Sequence, residues 1–101
     1  MNKILELNKK SLRALCIKYN VKSLFAFGSV TGSTFSESSD IDLVVSFMPM
    51  SHEDYADNYF ELIDKLEELF KRPVDLVTEK SLKNPYFIDS VNRTKSKIYE
   101  A

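Results

Sequence analysis

The stretch VKSLFAFGSVTGSTFSESSDIDLVVSF, residues 21–47, decides how this chain folds. Val21 to Phe27 is a short β-branched and aromatic run that stops at Gly28, and Ile41 to Phe47 is a second such run, closed by Pro49. Apolar runs of this length, bounded by glycine or proline, read as buried strands. Between them lie Gly28 and Gly32, the only two glycines of 101 residues. The permissive backbone of the whole chain is therefore concentrated in one connection.

The flanking sequence supplies helices. Leu12, Leu15, Cys16 and Tyr19 recur at i, i+3, i+4 and i+7, with Lys9, Lys10, Arg13 and Lys18 on other faces, which predicts an amphipathic helix from about residue 8 to Tyr19. Asn20 is its expected stop. Ser51 opens a near capping box with His52-Glu53-Asp54, and Tyr55 to Phe70 keeps helical spacing until Lys71-Arg72-Pro73 ends it. Val74-Asp75-Leu76-Val77 reads as a third strand. Asn84-Pro85 pairs a favoured cap with proline at the first helical position, starting a helix that runs to about Thr94. Lys97 to Glu100 reads as a last short strand. Helices and strands in this order predict an α/β fold, a small mixed β-sheet with helices packed against it. The strands carrying Asp40/Asp42 and Asp75 should be neighbours.

Composition sets the outer bounds. Leu, Ile, Val and Phe supply 31 of the 101 residues, enough for one core and too little chain for two. A single domain over residues 1–101 is expected. The longest uncharged run, Ser23 to Ser36, is broken by serines, threonine and glycines, so no membrane span is expected. Met1-Asn2-Lys3 leads into a charged amphipathic segment rather than a leader, and Cys16 has no partner for a disulfide. A cytoplasmic location is the expectation. Residues 1–35 are net basic, 36–70 strongly acidic and 71–101 net basic, for a total of −1. This balance argues against a dedicated nucleic-acid coat.

Three aspartates stand out. Asp40 and Asp42, two apart along a strand, project from one face while Ile41, Leu43 and Val45 point to the other. Asp75 interrupts an apolar strand, where a buried charge is costly unless paired or bound to metal. Three carboxylates on one face make a hard-oxygen site suited to Mg²⁺. Gly28-Ser29 ends the first strand, where free backbone N–H groups can cradle a phosphate and the Ser29 hydroxyl can donate to it.

Gly28-Ser29, then Ser39-Asp40-Ile41-Asp42-Leu43, then Asp75 on a following strand, resembles the nucleotidyltransferase fold of the DNA polymerase beta superfamily. Within it the chain is similar to the minimal nucleotidyltransferases (MNT), small proteins often encoded beside a HEPN-domain toxin, and the likeness extends over nearly all of its length. The resemblance implies that Gly28 and Ser29 hold the triphosphate of ATP and that Asp40, Asp42 and Asp75 are catalytic and bind two Mg²⁺ ions. It implies transfer of a nucleoside monophosphate, AMP, onto a hydroxyl, with Asp75 helping to deprotonate it. The implied acceptor is a tyrosine of a helical HEPN-type toxin, making this chain the antitoxin. One position departs from the pattern: many members carry arginine where Thr31 stands. Lys22, Lys71, Arg72 and Arg93 are the candidates to supply the missing cation. The alternative is a non-catalytic or weakly nucleotide-binding module that neutralises its partner by binding. His52 reads as solvated polar surface, Cys16 as small core, and Tyr55, Tyr59 and Phe60 as core rather than a base-stacking platform.

Overall fold

The computed structural model describes residues 3–32, 36 and 39–101; Met1, Asn2 and residues 33–35 of the uncharged run lie outside them. A short helix α1 (Lys3–Leu7) leads into α2 (Lys9–Lys18), then β1 (Val21–Phe27), a 3₁₀ turn (Gly28–Thr31) and β2 (Ile41–Phe47). There follow α3 (His52–Phe70), β3 (Val74–Thr78), a second 3₁₀ turn (Glu79–Ser81), α4 (Pro85–Thr94) and β4 (Ser96–Glu100). The strand order is β3-β2-β1-β4. β1 runs antiparallel to both β2 and β4, while β2 and β3 are parallel. The sheet is mixed, as expected.

Local chemistry sets the element ends. Asn20 and Lys71 both adopt φ 57°, the left-handed conformation that stops α2 and α3. The Ser51 side chain accepts from Asp54 N–H at 3.2 Å, and Asn84 Oδ1 accepts from the N–H groups of Tyr86 and Phe87 at 2.9 and 3.3 Å. The first helix differs from expectation. It begins at Lys3 and breaks at Asn8, whose side-chain amide donates to the Ile4 carbonyl at 2.8 Å. Leu5 and Leu12, seven apart, are both buried beneath the break, so packing extends the helical segment where the charge pattern gave no signal.

The two faces of the sheet are covered differently. Leu24, Ile41, Leu43 and Val45 pack against Leu12 and Cys16 of α2 and Leu62 and Leu66 of α3 in the main core. Each fully buried leucine there contributes about 1.5–3 kcal/mol of transfer free energy. On the opposite face Phe27, Val44 and Val91 form a smaller cluster with Val77 and Leu82. Alternation along β2 puts Asp42 on that second face, beside Val44. α4 therefore shares its side of the sheet with the carboxylates.

Candidate active site

Strand direction gathers the singled-out residues at one edge. β1 ends where β2 and β3 begin, so Asp42 is opposite both Phe27 of β1 and Asp75 of β3. In a parallel pair, register partners project from the same side, so Asp42 and Asp75 stand next to each other on one face. Asp40 lies just ahead of β2 and is exposed. Its charge still reaches Asp42. Burial first, then Asp75, then Asp40, push the Asp42 carboxyl above the usual range.

The environment of Asp75 corrects one premise. β3 is an edge strand, and Asp75 is exposed; it carries no burial cost of its own. The half-buried carboxylate is Asp42, because β2 is a central strand. Burial of Asp42 comes first in the cost of the cluster, and repulsion from Asp75 and Asp40 adds to it.

Gly28 is fitted to this carboxylate. Its φ is +72°, and a Cβ placed there would come within 2.8 Å of Asp42 Oδ2. Both facts require glycine. The Gly28 N–H donates to Thr94 Oγ1 at 3.0 Å, and the Thr31 hydroxyl donates back to the Gly28 carbonyl at 2.8 Å. Thr31, in the family's arginine position, thus closes the turn. Ser29 is half-buried beside it. The approach to Asp40 is held from the other side, where Arg72 Nη1 donates to the Ser36 and Ser39 carbonyls at 3.0 and 3.1 Å. Arg72 sits between α3 and β3, so one guanidinium ties the segment before Asp40 to the segment before Asp75.

The other candidate cations are elsewhere. Arg93 pairs with Asp89 at 3.1 Å on exposed helix surface, Lys71 caps α3, and Lys22 borders a cleft of about 470 Å³ that Phe25, Val44, Leu82 and Val91 also line. That cleft continues the Asp42 face inward. Cys16 is core, its thiol pushed up to about 12 by burial, and His52 is exposed. The aromatic cluster divides. Tyr55 packs edge-on against Phe47, and Tyr59 donates to the Leu76 carbonyl at 2.6 Å, whereas Phe60 is 65% exposed. Burial, with the Asp75 and Tyr55 charges, raises the Tyr59 hydroxyl above its ordinary value.

Among the described residues, no three carboxylate, imidazole or thiolate groups are drawn onto a single point. The donor chemistry nevertheless fits a hard divalent cation: Asp42 and Asp75 are register partners, Asp40 is two residues upstream, and every donor is a carboxylate oxygen.

Comparison with known proteins identifies the family of the fold. The nucleotidyltransferase domain model matches residues 8–98. The chain belongs to the nucleotidyltransferase domain family. Two Methanocaldococcus jannaschii proteins, each named "Putative protein adenylyltransferase", are 38% identical to this nucleotidyltransferase over 91 residues, 90% of either chain. A solved structure described as a "putative minimal nucleotidyltransferase" superposes with a TM-score of 0.71 at 30% identity, covering 95% of both chains. The tri-AMPylated HEPN toxin of Shewanella oneidensis in complex with its MNT antitoxin includes a chain of the same fold, with TM-score 0.66 and 20% identity over 96% of this chain and 73% of that one.

Two outcomes follow for the metal-free nucleotidyltransferase. The raised Asp42 carboxyl favours the folded state only when protonated, so its contribution is present below the unfolded value of about 3.9 and is lost as pH rises through the folded value. Asp42→Asn should therefore raise the melting temperature at pH 7 in EDTA, and the gain should shrink as pH falls towards about 4. Gly28→Ala should lower stability by about 1–2 kcal/mol from the left-handed backbone alone, measured by urea unfolding, with a further loss as Asp42 is displaced.

Proposed function

We propose that this chain transfers AMP from ATP onto a hydroxyl of a protein partner, a tyrosine of a HEPN-type toxin, and acts as its antitoxin in the cytoplasm as a single catalytic domain. The observation that carries the reading is the in-register pair Asp42 and Asp75 beside a turn that only glycine can form. The names of the archaeal relatives and the modified toxin in the Shewanella complex point the same way.

In this reading two Mg²⁺ ions, held by Asp40, Asp42 and Asp75, supply charge neutralisation at the triphosphate and make the attacking hydroxyl more acidic. The residues of the chain do the rest. Gly28, lacking a Cβ, lets the backbone approach the phosphates, and the Ser29 hydroxyl donates to a phosphate oxygen. Asp75, exposed on the edge strand, accepts the proton of a hydroxyl arriving from outside. The tyrosine oxygen attacks the α-phosphorus in line, the bond from that phosphorus to the bridging oxygen breaks, and pyrophosphate leaves. Positioning and electrostatics provide the acceleration.

Thr31 supports a second reading, since its hydroxyl closes the turn and brings no cation to the phosphates. The chain then neutralises its partner by binding alone. Co-expression with a HEPN-type protein, followed by intact-mass measurement, separates the two. Catalysis predicts a partner heavier by one or more AMP units and a loss of about 100-fold or more in rate for Asp75→Asn. A tight complex whose partner keeps its unmodified mass, with ATP and Mg²⁺ present, supports binding alone.

A further inference from the structure

We infer that Thr94 is the positioning residue of the glycine turn, acting from 66 positions away in sequence. The inference rests on the nucleotide-binding reading of that turn. Thr94 is the last residue of α4, and its hydroxyl does two things. It accepts the Gly28 N–H at 3.0 Å and donates its own proton to the Ser90 carbonyl at 2.9 Å. A hydroxyl has one proton. With that proton committed to Ser90, the oxygen lone pairs are left facing Gly28, and the direction of the bond is fixed.

A threonine that bonds back to the carbonyl four residues earlier is ordinary in a helix. Here the same oxygen reaches across to the end of β1. α4 also grips β1 through apolar contact: the Phe27 and Phe87 rings meet edge-on at 5.7 Å, and Phe27 packs with Val91 in one cluster. Phe27 and Gly28 are thus held at consecutive positions, one by ring packing and the next by a hydrogen bond. The consequence concerns Asp42. At φ +72° the Gly28 α-carbon faces the Asp42 carboxylate closely enough to exclude a Cβ, so a small rotation of this peptide changes the gap between the phosphate-binding turn and the metal-binding carboxylate. The Gly28 N–H is engaged by Thr94 and is withheld from phosphate; its task is to set where the turn begins.

The test compares Thr94→Val, which keeps the shape and removes the hydroxyl, with Thr94→Ser, which restores it. Two quantities are read well below the melting temperature of each variant: hydrogen exchange at the Gly28 amide, and the Kd for Mg²⁺ with a non-hydrolysable ATP analogue by calorimetry. In Thr94→Val the Gly28 amide should exchange about tenfold faster or more, and nucleotide affinity should fall roughly twofold to tenfold, the range expected from losing one hydrogen bond. Thr94→Ser should return both towards wild type. A purely structural role would lower the melting temperature without this rescue of affinity. Wild-type binding that Thr94→Val leaves unchanged, or a serine variant that behaves like valine, overturns the positioning role alone. Absence of nucleotide binding by the wild-type chain overturns the nucleotide-site reading together with it.

Discussion

Two carboxylates held side by side on neighbouring parallel strands are the constraint around which this molecule is arranged. Register fixes Asp42 opposite Asp75, and the pleat sends both to the same face. Burial of Asp42, together with the neighbouring Asp75 and Asp40 charges, raises its carboxyl, so the pair is unfavourable without a counter-charge. Clustering of like charges with one member half-buried is an arrangement that functional sites use to shift carboxylate titration. Under the proposed function, cations and a phosphate chain beyond the carboxylates would offset the repulsion.

The rest of the fold delivers groups to that pair. Because β1 is antiparallel to β2, its end arrives at the edge where β2 and β3 begin, which is how Gly28 comes against Asp42. β4 is antiparallel to β1 in turn, so its start, and with it the end of α4, reaches the same edge. Arg72 completes the frame by bracing the segment ahead of Asp40 from the segment ahead of Asp75. The main core of α2 and α3 lies on the far face. The proposed chemistry and the main core thereby lie on opposite sides of one sheet.

Much of this was legible in the residues. β1 and β2 begin and end where their apolar runs do, because Gly28 and Pro49 bound them, and α3 and α4 begin at the caps Ser51 and Asn84. The three aspartates and the glycine turn were grouped as a set by the resemblance that their motif carries. What escaped was set by packing, by a single side-chain bond or by strand order. The helix before Asn8 depends on Leu5 burying itself in the core, and the 3₁₀ turn at Glu79–Ser81 is closed by a Ser81 hydroxyl bond to the Thr78 carbonyl at 2.8 Å. The exposure of Asp75 follows from β3 being an edge strand, which strand order decides and periodicity does not. The reach of Thr94 to Gly28 and of Arg72 to Ser39 are tertiary contacts between distant segments, invisible to any window along the chain.

The central claim, that Asp42 and Asp75 stand together to hold a divalent cation against a nucleotide bound at Gly28-Ser29, is tested most directly by crystals grown with Mn²⁺ and a non-hydrolysable ATP analogue. Anomalous scattering from manganese locates the ion without reference to the protein. The account predicts a peak bridging the Asp42 and Asp75 carboxylates, with the phosphates against the glycine turn. Manganese bound away from both aspartates, or a nucleotide seated elsewhere on the sheet, would contradict it.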